Sequence, residues 1–132
     1  MTAAKVVDAS ALGALLFGEP ERERIAERLT GARLFAPTLL GYELASICVK
    51  KSRAHPEAAS ELQRALGLFG RLGVELLGLR PGPVADLARE TGLTAYDAAY
   101  LWLSLVLGAE LITLDRRLAV IAARHGGGAA EP

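Results

Sequence analysis

Short apolar runs bounded by small or turn-forming residues alternate along the chain with longer stretches of helical period. Lys5 to Asp8 has the pattern of a buried strand, with β-branched Val6 and Val7, and Ala9 and Ser10 lead into a helix through Phe17 that Gly18 breaks. Pro20 opens a charged helix, ERERIAERL, whose Ile25 and Leu29 form a one-sided i,i+4 stripe, so this helix is expected to lie on the surface. A second strand, Arg33 to Ala36, stops at Pro37, and Thr38 is placed to cap a helix from Leu39 to near Ser52. Pro56 begins a long helix reaching Leu72, and Val74 to Leu79 is again strand-like. The PGP at Pro81 to Pro83 leads into a short helix ending near Gly92, and a helix from Ala95 to Leu107 is apolar nearly all round. Glu110 to Leu114 makes the last strand, and RRLAVIAARH forms a final helix stopped by Gly126.

Strands separated by helices pair in parallel through right-handed crossovers, which predicts an α/β three-layer sandwich around a mainly parallel sheet of four to five strands. At 132 residues and 13.9 kDa, 52% of them hydrophobic, the chain suits one domain over residues 1–125 and a mobile tail, GGGAAEP, over residues 126–132. The 15 basic and 15 acidic side chains cancel, so a polyanion would have to be held by local clusters and not by a global field. The single cysteine, Cys48, packs as a small hydrophobe in an apolar helix and excludes an internal disulfide. With no membrane-spanning stretch and no leader pattern, the expected location is cytoplasmic.

Four acids break the apolar pattern: Asp8 ends VVDAS-type strand sequence, Glu43 sits in LLGYELASI, Asp97 in TAYDAAYLWLS, and Asp115 closes LITLD. A carboxylate in such surroundings is costly to desolvate without compensation. Asp8 and Asp115 fall at the carboxyl ends of strands, the edge where parallel sheets form their ligand crevice. Were the four to gather within about 5 Å, each ionised pair would repel by roughly 3 kcal/mol at an effective dielectric near 20. Either protons or a cation must relieve that repulsion, and an all-oxygen donor set suits Mg²⁺ or Mn²⁺.

Each acid also has a local use. Asp8 and Asp115 can cap the helices that follow them, and Thr94 with Asp97 fits a Thr-x-x-Asp capping box. Glu43 caps nothing, which makes it the discriminating position. Ser10 and Thr113, each two residues from a strand-end aspartate, can support the site, and Arg116, Arg117, Lys50, Lys51 and Arg53 are candidate phosphate contacts. His55 and His125 have no ligand partner at metal spacing, and Tyr96, Tyr100 and Trp102 are expected to be packing groups of a buried helix. No covalent nucleophile arrangement and no Walker lysine is present.

These four motifs, in this order from Lys5 to His125, resemble the PIN domain, and at this size the VapC-type toxins. The resemblance implies a PIN-like fold and endoribonuclease activity. It further implies Mg²⁺ or Mn²⁺ held by Asp8, Glu43, Asp97 and Asp115 with Thr113 and Ser10 in support, a homodimer, and a cognate antitoxin whose C-terminal segment covers the groove. Two other classes fit strand-end acids: a receiver-like Mg-binding signalling domain, which would want a paired acid at the first strand and a late lysine, and a non-catalytic RNA-binding module whose acids are caps.

Overall fold

The computed structural model describes residues 2–126 and builds outward from one strand. In β1 (Ala4–Val7), Val6 and Val7 are fully buried, as expected of a strand covered on both faces and paired on both edges. It pairs in parallel with β2 (Arg33–Pro37) on one side and with β4 (Glu110–Ile112) on the other, while β3 (Glu75–Leu77) adds to the outer edge of β2. The sheet is therefore four-stranded and wholly parallel, in the order β3-β2-β1-β4.

That order dictates the layers. The steps β1 to β2 to β3 run one way, so right-handed crossovers place α1 (Ala9–Phe17), α2 (Arg22–Leu29), α3 (Leu40–Ala54) and α4 (Ala59–Gly67) on one face. The return from β3 to β4 crosses behind β1 and places α5 (Pro81–Thr91) and α6 (Ala95–Leu107) on the other, with α7 (Arg116–Arg124) following β4. Helix α6 packs on β1, β2 and β4 and supplies the fully buried Leu101 and Ala98, while Leu12, Leu40 and Leu44 fill the opposite layer. Burying side chains of this kind stabilises by ~1.5–3 kcal/mol each. The direction of winding reverses between β1 and β4, so the crevice at their carboxyl ends is the topological switch point.

Three expectations need correction. Thr38 does not cap α3: the helix starts at Leu40 with Leu39 at its N-cap and no side-chain cap, while the Thr38 N–H continues the β2–β3 ladder to the Leu77 carbonyl. The stretch from Pro56 to Leu72 is not one helix but a 3₁₀ turn, α4 and a second 3₁₀ turn. Helix α6 is not uniformly buried: Tyr96 stands out into solvent at its start. The expected mobile tail falls mostly on residues 127–132, outside the described residues. No described helix is long and apolar enough to cross a membrane.

Candidate active site

Register brings the first pair of residues together. Val7 pairs with Ile112, and the Asp8 N–H extends the ladder to the Ile112 carbonyl, so Asp8 and Thr113 are opposite one another just past the strand ends. The Thr113 hydroxyl donates to Asp8 Oδ2 at 2.5 Å. Ser10 Oγ donates to Asp8 Oδ1 at 2.7 Å, and the Ala11 N–H reaches the same oxygen at 3.0 Å, making Asp8 the N-cap of α1. A carboxylate offers about four lone-pair positions, and these bonds use three of them. Asp8 is only 5% exposed, and burial pushes its carboxyl above the ordinary range despite the three donors.

The two hydroxyls also organise the chain after β4. The Leu114 N–H donates to Ser10 Oγ at 2.9 Å and the Asp115 N–H to Thr113 Oγ1 at 3.0 Å. Asp115 in turn caps α7 through the Leu118 N–H at 3.0 Å. Both capping roles foreseen for strand-end aspartates are thus filled, with one oxygen of Asp115 left over.

Glu43 and Asp97 approach on helices from the two opposite layers. Glu43 lies one turn into α3, where it caps nothing, and its Oε1 accepts the Tyr100 hydroxyl at 2.7 Å. Tyr100 is 1% exposed and follows Asp97 by three residues on the same face of α6, so it ties α3 to α6 across the site. Only half of the Thr94 capping box forms: Thr94 Oγ1 accepts the Asp97 N–H at 3.1 Å, but among the described residues the Asp97 carboxylate accepts no hydrogen bond. That carboxylate is free to face the crevice.

Three of the acids are shifted, each in part by a neighbouring acid. Burial first, then the charges of Asp8 and Asp97, raise the Glu43 carboxyl; burial and then Asp115 raise Asp97, with Arg117 opposing. Tyr100 is pushed far up by burial and by its bond to Glu43, so it stays protonated and donates. Among the described residues no three acid, histidine or cysteine side chains converge closely enough to enclose a metal ion as they stand. A hard dication does not require that, since Mg²⁺ keeps several waters and takes one or two carboxylates directly. The oxygens left without a hydrogen bond, one lone pair of Asp8, Glu43 Oε2, the Asp97 carboxylate and the second oxygen of Asp115, are those that would be offered to such an ion.

Of the basic candidates, Arg116 and Arg117 line, together with Arg124, a cavity of about 480 Å³ beside the site, and Arg117 donates to the Gly92 carbonyl at 2.8 Å. Lys51 is paired with Glu19, so it is not a free phosphate contact. Sequence reasoning placed the four acids, Ser10 and Thr113 here but missed Tyr100. The three-residue spacing from Asp97 was the signal that could have found it.

Comparison with known proteins agrees with this fold. The PIN domain profile matches residues 5–124. Ribonuclease VapC3 of Pyrobaculum aerophilum is 35% identical over 119 residues, covering 86% of this chain and 91% of that protein. Ribonuclease VapC9 of Mycobacterium tuberculosis is 36% identical over 119 residues, covering 86% of this chain and 87% of its own length. The crystal structure of PAE2754 from Pyrobaculum aerophilum superposes with a TM-score of 0.75 at 28% identity, covering 92% of this chain and 86% of that one. A parallel sheet of this order, a match over nearly the whole chain and relatives at this identity make the chain a member of the PIN domain family.

Proposed function

We propose that the chain is a divalent-metal-dependent endoribonuclease that hydrolyses RNA phosphodiester bonds and acts as the toxin of a toxin–antitoxin pair. The observation that carries the reading is Glu43: a partly buried acid with no capping task, held by Tyr100 so that one oxygen remains for a ligand, within electrostatic range of Asp8 and Asp97. Asp8, Glu43, Asp97 and Asp115 would hold Mg²⁺ or Mn²⁺. When bound, such an ion polarises a phosphate and makes water more acidic. The chain's own part is positional. Thr113 and Ser10 fix the Asp8 carboxylate, Tyr100 fixes Glu43, and the arginines of the α7 cavity meet the RNA backbone.

The names of the relatives support an RNA substrate, and with it an antitoxin partner; a small partner offering a basic side chain to the acids would match their charge. A homodimer belongs to the same reading on the family resemblance alone, since exposed Val49, Val106 and Val120 stand singly on α3, α6 and α7 and do not by themselves mark one apolar face. A receiver-like signalling role fares worse, since that fold orders its strands 2-1-3-4-5 and this sheet does not. The capping bonds of Asp8 and Asp115 favour the non-catalytic RNA-binding alternative at those two positions, which leaves Glu43 to decide.

The test is cleavage of single-stranded RNA by protein stripped of metal and then given Mg²⁺ or Mn²⁺. Activity should require the ion and fall at least about a hundredfold in Asp8→Asn and Glu43→Gln, the scale seen when a group that stabilises developing charge is lost. Unaltered cleavage in both variants, or cleavage without a divalent ion, would overturn the assignment. Survival of RNA binding with no metal-induced rise in Tm would favour the non-catalytic module.

A further inference from the structure

Tyr42 is 81% exposed and Tyr96 is 65% exposed, the two most exposed large hydrophobic side chains among the described residues. Each directly precedes a site acid, Tyr42 before Glu43 on α3 and Tyr96 before Asp97 on α6. One residue is about 100° of helix, so while the acids turn toward the crevice the tyrosines stand on its rim. Both rings line one open cavity of about 400 Å³ whose other walls are Leu39, Glu43 and Ser46. Tyr96 and Leu39 also border an adjoining slot with Pro37, Thr38 and Ala99, so the apolar trough continues past the rim.

Large aromatic surface left in water beside an acid needs an occupant. Among the described residues no cationic side chain lines this cavity to receive a phosphate, whereas an uncharged planar ring gains stacking area there. The arginine-lined cavity at α7 supplies the complementary place for phosphates, on the Asp115 side of the site. A nucleotide whose backbone runs past the acids would therefore set its base toward the tyrosines. A base inside a duplex has both faces already stacked and cannot enter, so the trough takes unpaired bases.

Resting on the ribonuclease reading above, we infer that Tyr42 and Tyr96 form an aromatic clamp that stacks an unpaired nucleobase next to the scissile phosphate. Stacking is tolerant of base identity, so the clamp selects strandedness and leaves sequence to other contacts.

The probe is a short single-stranded oligoribonucleotide carrying 2-aminopurine, alone and annealed to its complement, bound to the Asp97→Asn protein so that it is not consumed. Binding of the single strand should quench the 2-aminopurine, and the duplex should give no such quench. Tyr42→Ala and Tyr96→Ala, added singly, should each weaken binding about tenfold, and Tyr42→Phe and Tyr96→Phe should restore it, because the ring and not the hydroxyl is used. In the otherwise wild-type protein the alanine changes should raise KM for cleavage with kcat within about threefold, since uniform binding is what they remove.

Single-strand binding and cleavage indifferent to both alanine changes would overturn the clamp while leaving the ribonuclease standing. Tyrosine-dependent quenching in a protein that cleaves no RNA would keep the clamp and sink the nuclease. A shift from dimer to monomer on size exclusion in the alanine variants, with RNA binding intact, would assign the tyrosines to a protein interface and overturn the clamp.

Discussion

At the scale of single residues, the acids were legible because they break a rule: a carboxylate inside apolar sequence must be compensated. Tyr100 was not legible, since a tyrosine in an apolar helix is indistinguishable from core until its hydroxyl's partner is known. Its bond to Glu43 makes it a positioning residue with a measurable role. Tyr100→Phe keeps the ring and frees Glu43 to swing, so Mn²⁺ affinity, measured by thermal shift or calorimetry, should fall about tenfold or more, as when other groups that orient a ligand are removed. Stability should fall by ~1 kcal/mol, the usual worth of one hydrogen bond. Unchanged metal affinity would reduce Tyr100 to packing. Tyr96, from the same apolar helix, was expected to pack and is instead exposed, because period analysis cannot see that the first turn of α6 projects beyond its neighbours.

At the scale of elements, boundaries were readable wherever glycine punctuates them. Helices α1, α5 and α6 end at Gly18, Gly92 and Gly108, all left-handed, the conformation in which a side chain is strained. The α3 start was misplaced because Thr38 still belongs to the β2–β3 ladder through its N–H to Leu77, a pairing between distant segments that local sequence does not register. The order of the strands was equally hidden, being set by long-range pairing. Gly92 carries a further load, since its carbonyl receives Arg117 and an added methyl would meet that guanidinium at 3.3 Å. Gly92→Ala should cost ~1–2 kcal/mol by urea unfolding, mainly from the left-handed backbone. Gly67→Ala, at the end of α4 in open space with no such conformation, should be neutral or stabilising by up to ~1 kcal/mol.

For the molecule as a whole, the α/β sandwich and the family followed from the alternation of strands and helices and from the order of the motifs. The raised carboxyls of Asp8, Glu43 and Asp97 make metal-free stability depend on pH in a defined direction. Between the ordinary carboxyl values of 3.8 and 4.5 and the raised native ones, the folded chain binds more protons than the unfolded chain. This contribution is therefore complete below that window and lost as pH rises through it. Metal-free protein should lose Tm as pH rises above the ordinary carboxyl range, and Mn²⁺ should restore it at neutral pH. Asp97→Asn removes one of the repelling charges, so it should raise the metal-free Tm by a few degrees and flatten the slope while abolishing the metal response. A lower Tm in that variant would show that the carboxylate is needed for the start of α6.

The bonds from Thr113 to Asp8 and from Leu114 to Ser10 span 105 and 104 positions of chain. A polypeptide leaving the ribosome N-terminus first has Asp8 early and must wait for β4 before that carboxylate is seated. If the reading of this protein as a ribonuclease is right, the growing chain is harmless to the RNA-built machine that makes it, and becomes dangerous only after its last strand slides in beside its first.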